Sequence, residues 1–106
     1  MDYWLIYDKN GQLHQYGFAP DMAPRNVRQE IEAAPLMPRV FNDEDAAQQF
    51  ILHTSEKFGG DYECRCFTKS ELEAELTLSG CRWYCLNDRF WDDEFGRPIR
   101  VGDPQV

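Results

Sequence analysis

The sequence predicts a small α+β domain, in which a mostly antiparallel sheet of about four to five strands carries two or three helices packed on one face. Short runs rich in aromatic and β-branched residues have the composition of strands. Two longer segments carry apolar residues at helical spacing. Glycine, proline and asparagine separate these segments at short intervals, and the predicted order of elements is β-β-α-α-β-α-β-β.

Residues 2–18 predict a β-hairpin. Residues 3–7 are aromatic and β-branched, as strands prefer, and residues 13–18 form the returning strand. Between them, Asn10 and Gly11 provide the positive φ angles that tight hairpin turns require.

Residues 20–38 contain four prolines. We expect a short helix over residues 24–34, with Pro24 in its first turn and Ile31 on its inner side. Pro35 ends this helix, because the residue before a proline avoids the helical region. Residues 36–40 should then be extended, and a mobile loop over the whole segment is the competing interpretation.

Residues 41–60 give the strongest helix signal. Asn42 is a suitable N-cap, and the acidic residues 43–45 fill the first turn, where the helix dipole favours negative charge. Gly59 provides the C-terminal stop. The residues expected on the inner side of this helix are Ala47, Phe50, Ile51, Thr54 and Phe58.

Residues 61–91 predict a strand, a helix and a second strand that together hold all four cysteines. Thr68 and Glu71 match a capping box at the start of the helix, which would bury Leu72 and Leu76. Alternation places the cysteines and Trp83 in the core. Residues 97–101 predict an edge strand, because Pro98 cannot donate to a sheet ladder.

Length and charge limit the classes of function. The 106 residues fit one compact domain over residues 1–101, followed by a flexible tail over residues 102–106. The net charge of −8 disfavours direct binding to nucleic acid and favours a protein partner with a basic surface. No apolar run is long enough for a membrane span, and no signal peptide is visible, so we expect a cytoplasmic monomer or homodimer.

The four cysteines allow three interpretations. A structural zinc site needs four ligands, and the chain has four cysteines: Cys64, Cys66, Cys81 and Cys85. Their spacing, however, differs from that of a zinc knuckle. A disulfide between strands is sterically possible, but a reducing cytosol disfavours it. Buried free thiols are therefore the leading interpretation, and we expect no cofactor.

The acidic segment Asp92 to Glu94, which lies between Trp91 and Phe95, suggests a protein-binding site. Carboxylates flanked by aromatic rings are common in protein contacts, whereas the competing interpretation is a solvated turn whose aromatic rings fold inward. The outer surface of the helix after residue 68 adds two further acids. The predicted partner-binding residues are Trp91, Asp92, Asp93, Glu94, Phe95, Glu71 and Glu75.

These observations favour a small acidic, non-enzymatic module that docks on a basic, nucleic-acid-binding surface of another protein. Inhibitors carried by phages and mobile elements, including anti-CRISPR proteins, resemble this chain in general size and charge, without a shared motif. The alternatives are a zinc-stabilised module that uses the four cysteines and an enzyme that pairs a cysteine with His14 or His53.

Overall fold

The computed structural model describes residues 2–17, 23–33, 36–87 and 97–102. It confirms the predicted α+β class, with a mixed, mostly antiparallel sheet and three helices. One strand is added to the predicted order, between the first two helices. The elements are β1 (Tyr3–Asp8), β2 (Gln15–Gly17), α1 (Arg28–Ala33), β3 (Leu36–Phe41), α2 (Glu44–Phe58), β4 (Tyr62–Phe67), α3 (Lys69–Leu78), β5 (Trp83–Asn87) and β6 (Arg97–Arg100).

The added strand, β3, lies at the centre of the sheet, whose strand order is β4-β1-β3-β5-β6. β3 pairs antiparallel with β1 and parallel with β5, so it joins the two halves of the chain. β4 pairs antiparallel with β1 along its whole length, from Tyr3 opposite Phe67 to Asp8 opposite Tyr62. β6 forms the far edge, as Pro98 predicted.

The predicted hairpin is confirmed at its turn, but its second strand pairs elsewhere. The Asp8 N–H donates to the Gln12 carbonyl at 2.9 Å, and Gly11 has the positive φ of 77° that the turn requires. One bridge, between Tyr7 and Leu13, continues the ladder. β2 then leaves β1 and pairs antiparallel with the first half of β3.

The helices cover both faces of the sheet, which differs from the single helical face that we expected. On one face, Leu72 and Leu76 of α3 pack with the odd-numbered side chains of β1, including Leu5 and Tyr7. On the opposite face, α2 packs against Ile6 and Phe41. α1 lies on the same face as α2, where Ile31 contacts the cluster around Trp83. Because strand side chains alternate, β1 is buried on both sides.

The ends of α2 follow the predicted signals with a shift of one residue. Asp43 is the N-cap rather than Asn42, and its side chain accepts a hydrogen bond from the Ala46 N–H at 3.1 Å. Gly59, with φ of 74°, ends the helix as predicted. Phe58 is 68% exposed and is not part of the inner side, which contains Ala46, Ala47, Phe50 and Thr54.

The capping box of α3 is confirmed. The Thr68 hydroxyl accepts from the Glu71 N–H, and the Glu71 carboxylate accepts from the Thr68 N–H at 2.9 Å. Leu72 and Leu76 are fully buried, as their spacing predicted. Among the three helices of the described part, none combines the length and the apolar character that a bilayer span requires.

Candidate docking surface

The whole of the predicted partner-binding segment, Trp91 to Phe95, lies outside the described residues. Of the predicted tail over residues 102–106, only Gly102 is described. Glu71 and Glu75 are described, and α3 places them in different surroundings. Glu71 is exposed at the start of the helix. Glu75 is half-buried, and its Oε1 accepts a hydrogen bond from the Tyr7 hydroxyl at 3.0 Å.

Glu71 belongs to a group of carboxylates at one end of the β4 edge. The Cys66 thiol is exposed there, and its pKa is raised by desolvation and by the negative charges of Asp2, Glu44 and Glu71. These three acids come from three separate parts of the chain, and all are exposed. We use the name acidic end for the surface formed by Asp2, Glu44, Glu71 and Cys66.

Local structure positions each of these acids. Asp2 directly precedes β1, whose Tyr3 lies opposite Phe67 of β4. Glu44 is in the first turn of α2 because Asp43 caps that helix, and Glu71 is held at the start of α3 by the capping box. Two helix starts and one strand start therefore place these carboxylates where all three act on the Cys66 thiol.

The face of the sheet that α3 covers carries two tyrosines, Tyr7 and Tyr84, whose hydroxyls contact charged groups of α3. Burial, followed by the contact with Glu75, raises the pKa of Tyr7 well above its ordinary value. The Arg65 guanidinium lies 4.1 Å from the centre of the Tyr7 ring and also pairs with Glu63 at 2.7 Å. These contacts tie α3 to β1 and β4.

The second tyrosine, Tyr84, fixes the same helix to β5. Lys69 Nζ donates to the Tyr84 hydroxyl at 3.1 Å and pairs with Glu73 at 2.8 Å. Burial raises the pKa of Tyr84. Both tyrosine contacts hold two elements together, which is a structural role that needs no substrate.

The cysteines do not meet at one point. Cys64 and Cys66 lie on β4, Cys85 lies on β5, and β1 and β3 separate these two strands. The separation is three strand spacings, or ~14 Å, whereas a zinc ion holds each sulfur at ~2.3 Å. No disulfide joins any of the four cysteines, and within the described ranges no three His, Cys, Asp or Glu side chains are grouped to hold a metal.

The expectation that all four cysteines are buried is wrong for three of them. Cys85 is buried, Cys64 and Cys81 are half-buried, and Cys66 is exposed. β4 is an edge strand, so its side chains receive less cover than those of β5. Burial raises the pKa of Cys81, and burial together with Glu44 raises the pKa of Cys64, so neither environment favours a thiolate.

The two histidines have unrelated surroundings. The His14 ring packs edge-on against Tyr16 and Tyr62, with ring centres 4.2 and 5.2 Å apart, and burial lowers its pKa. His53 is exposed on α2. The aromatic packing therefore gives the half-buried His14 ring a structural role.

The structure also shows a cleft of about 470 Å³ that the sequence did not indicate. Arg100 lies over the Trp83 ring, 5.1 Å from its centre, and pairs with Glu30 of α1. Cys81 and Arg82 also line the cleft. Both members of the Arg100–Glu30 pair are exposed, and the contact joins β6 to α1.

Comparisons of the chain with protein-family models, with curated proteins and with solved structures found no match.

Proposed function

We propose that this protein is a non-enzymatic protein-binding module that docks on a basic, nucleic-acid-binding surface of another protein. The observation that carries the proposal is the acidic end, where the exposed carboxylates of Asp2, Glu44 and Glu71 all act electrostatically on the Cys66 thiol. A surface that binds nucleic acid presents Lys and Arg side chains to phosphates. A group of exposed carboxylates is complementary to such a surface and would compete with the nucleic acid for it.

The charge of the whole chain supports the same proposal. A net charge of −8 attracts a basic partner over distances beyond direct contact and raises the rate of encounter. The acidic-aromatic segment from Trp91 to Phe95 would add aromatic anchors to this contact. That segment, and the size-and-charge likeness to phage inhibitors of the anti-CRISPR type, stay predictions.

The test is affinity capture from a lysate of the cells in which the protein occurs. The bait is the wild-type chain, a variant with Asp2→Lys and Glu44→Lys, or a variant with Asp92→Lys, Asp93→Lys and Glu94→Lys. Glu32→Lys together with Glu56→Lys is the control, because it reverses as many charges as the first variant does and both residues are exposed outside the acidic end. We expect a partner that the control retains, that either variant loses, and that salt or added heparin releases.

A partner that both acidic variants retain fully, or one that neither salt nor heparin releases, would contradict docking through carboxylates. Each captured partner is then purified and titrated with nucleic acid in the presence of the wild-type chain. Simultaneous binding of both ligands without loss of affinity would contradict competition for a shared basic surface.

A further inference from the structure

The outer edge of β4 has main-chain groups that pair with no strand in the described part of the chain. The carbonyl of Ile6 accepts from the His14 N–H, and the Asp8 N–H donates to Gln12. The even-numbered residues of β1 therefore turn their main-chain groups away from β4, and the odd-numbered ones bond to it. Because Leu5 lies opposite Arg65, the residues of β4 that turn N–H and C=O outward are Tyr62, Cys64 and Cys66.

We propose that a second copy of this chain occupies this edge, with β4 antiparallel to β4 and the two-fold axis at Cys64. In an antiparallel sheet, residues that lie directly opposite each other point to the same side of the sheet. The two-fold axis must therefore lie between one residue of β4 and the same residue of the other copy. An axis at Glu63 or at Arg65 sets like charges opposite each other. The axis at Cys64 sets Glu63 of each copy opposite Arg65 of the other, and it engages all three outward-facing residues in main-chain hydrogen bonds.

The flank of α2 beside this edge supports the same partner. Gln48 Nε2 donates to the Cys64 sulfur at 3.3 Å, so this side of the helix faces the edge. Leu52, one turn later on the same side, is 64% exposed. α2 packs over β1 and also contacts Tyr62 and Cys64 of β4, so the two copies of α2 would lie on the same face of the joined sheet, with their Leu52 sides turned toward each other. One symmetry operation thus extends the sheet and covers Leu52.

The charges that oppose and favour this pairing act over different distances. The net charge of −8 on each copy resists association. At physiological ionic strength, charges more than about 8 Å apart are largely screened. Glu63 and Arg65 are both exposed on the face that α3 leaves open near the edge, so they can reach the other copy directly. This inference does not depend on the proposed function.

The test is sedimentation equilibrium at physiological ionic strength. We expect a dimer of the wild-type chain that is at least about tenfold weaker in Glu63→Lys and in Arg65→Glu, because each variant sets like charges opposite each other. An equimolar mixture of the two variants should restore the dimer, since the new lysine of one faces the new glutamate of the other. Glu32→Lys and Arg25→Glu, at exposed positions on the far side of the fold, are the controls and should dimerise as the wild type does.

Several outcomes would overturn the inference. One is a wild-type chain that stays monomeric up to about millimolar concentration. Others are a dimer that neither variant weakens and two weakened variants whose mixture remains monomeric although both are folded by circular dichroism. If the β4 amides become protected from hydrogen exchange only when a different protein is added, the edge belongs to that protein.

Discussion

At the scale of single residues, Tyr7 and Tyr84 do two jobs in one interface. Each ring contributes apolar area to the cluster under α3, and each hydroxyl meets a charged group of that helix. A buried hydroxyl without a partner would cost free energy, so the positions of Glu75 and Lys69 are matched to the two rings. The two rings therefore help α3 to pack on the sheet, and the two hydroxyl contacts fix its position there.

The contact between Tyr7 and Glu75 can be measured by a double-mutant cycle. We expect Tyr7→Phe to lower the free energy of unfolding by about 1–2 kcal/mol, because the half-buried carboxylate loses its donor. With Glu75→Ala present, the same change should cost less, which gives a positive coupling energy. Urea unfolding of the four proteins provides the values. Additive effects would show that the hydroxyl and the carboxylate do not interact in solution.

At the scale of elements, α3 begins with a charged cap whose strength depends on pH. Hydrogen bonds from Thr68, first from its main chain and then from its side chain, hold the pKa of Glu71 below its ordinary value of 4.5. A carboxyl whose pKa is lower in the folded state stabilises fully above the unfolded-state pKa. That stabilisation is lost as the pH falls through the folded-state value.

We therefore expect Glu71→Gln to be less stable than the wild type at pH 7, and to be so by a smaller margin at pH 3, because the stabilisation by the ionised Glu71 decreases as the pH falls below the unfolded-state pKa. Urea unfolding at both pH values measures the difference between the two proteins, in which the protonation of other carboxyls largely cancels. Glu32→Gln, at an exposed position on α1, is the control. A difference between Glu71→Gln and wild type that is equally large at both pH values would contradict the charged cap.

The elements that the sequence predicted well are those that local contacts determine. The capping box at Thr68, the glycine stop at Gly59 and the turn at Gly11 each depend on residues within one or two turns of chain. Asn42 and Asp43 are both good caps, and sequence preference alone could not choose between them. Phe58 fits the helical stripe, but it lies in the last turn of α2 and is exposed in the structure.

Long-range pairing set the features that the sequence could not provide. β3 was expected only to be extended, and its central place depends on partners from both ends of the chain. Periodicity shows that a helix has an apolar side, but it does not show which face of the sheet receives that side. The acidic end follows from the same pairings, because Asp2, Glu44 and Glu71 are distant in sequence. Of its three acids, only Glu71 was predicted to bind a partner.

At the scale of the whole molecule, apolar side chains contribute very differently to stability according to whether the fold buries them. Leu76 is fully buried between α3 and the sheet, whereas Leu78, two residues later, is 85% exposed. We expect Leu76→Ala to lower the free energy of unfolding by about 2–5 kcal/mol and Leu78→Ala to change it by less than about 0.5 kcal/mol. Thermal and urea unfolding measure both. Equal effects would mean that α3 does not pack as described.

The order of strands also decides what the cysteines can do for stability. In a four-thiolate zinc site every ligand matters, so each Cys→Ser change would be strongly destabilising, and a chelator would unfold the protein. With β4 and β5 separated by two strands, each cysteine contributes through its own burial.

We expect Cys85→Ser to lower the free energy of unfolding by about 1–3 kcal/mol, because a hydroxyl replaces a buried sulfur. Cys66→Ser should be nearly neutral, because that side chain is exposed. Melting curves of these variants, and of the wild type with and without EDTA, give the comparison. A shared loss of stability across all four positions together with a lower melting temperature in EDTA would mean that the strands are arranged differently, with the sulfurs close enough to bind one ion.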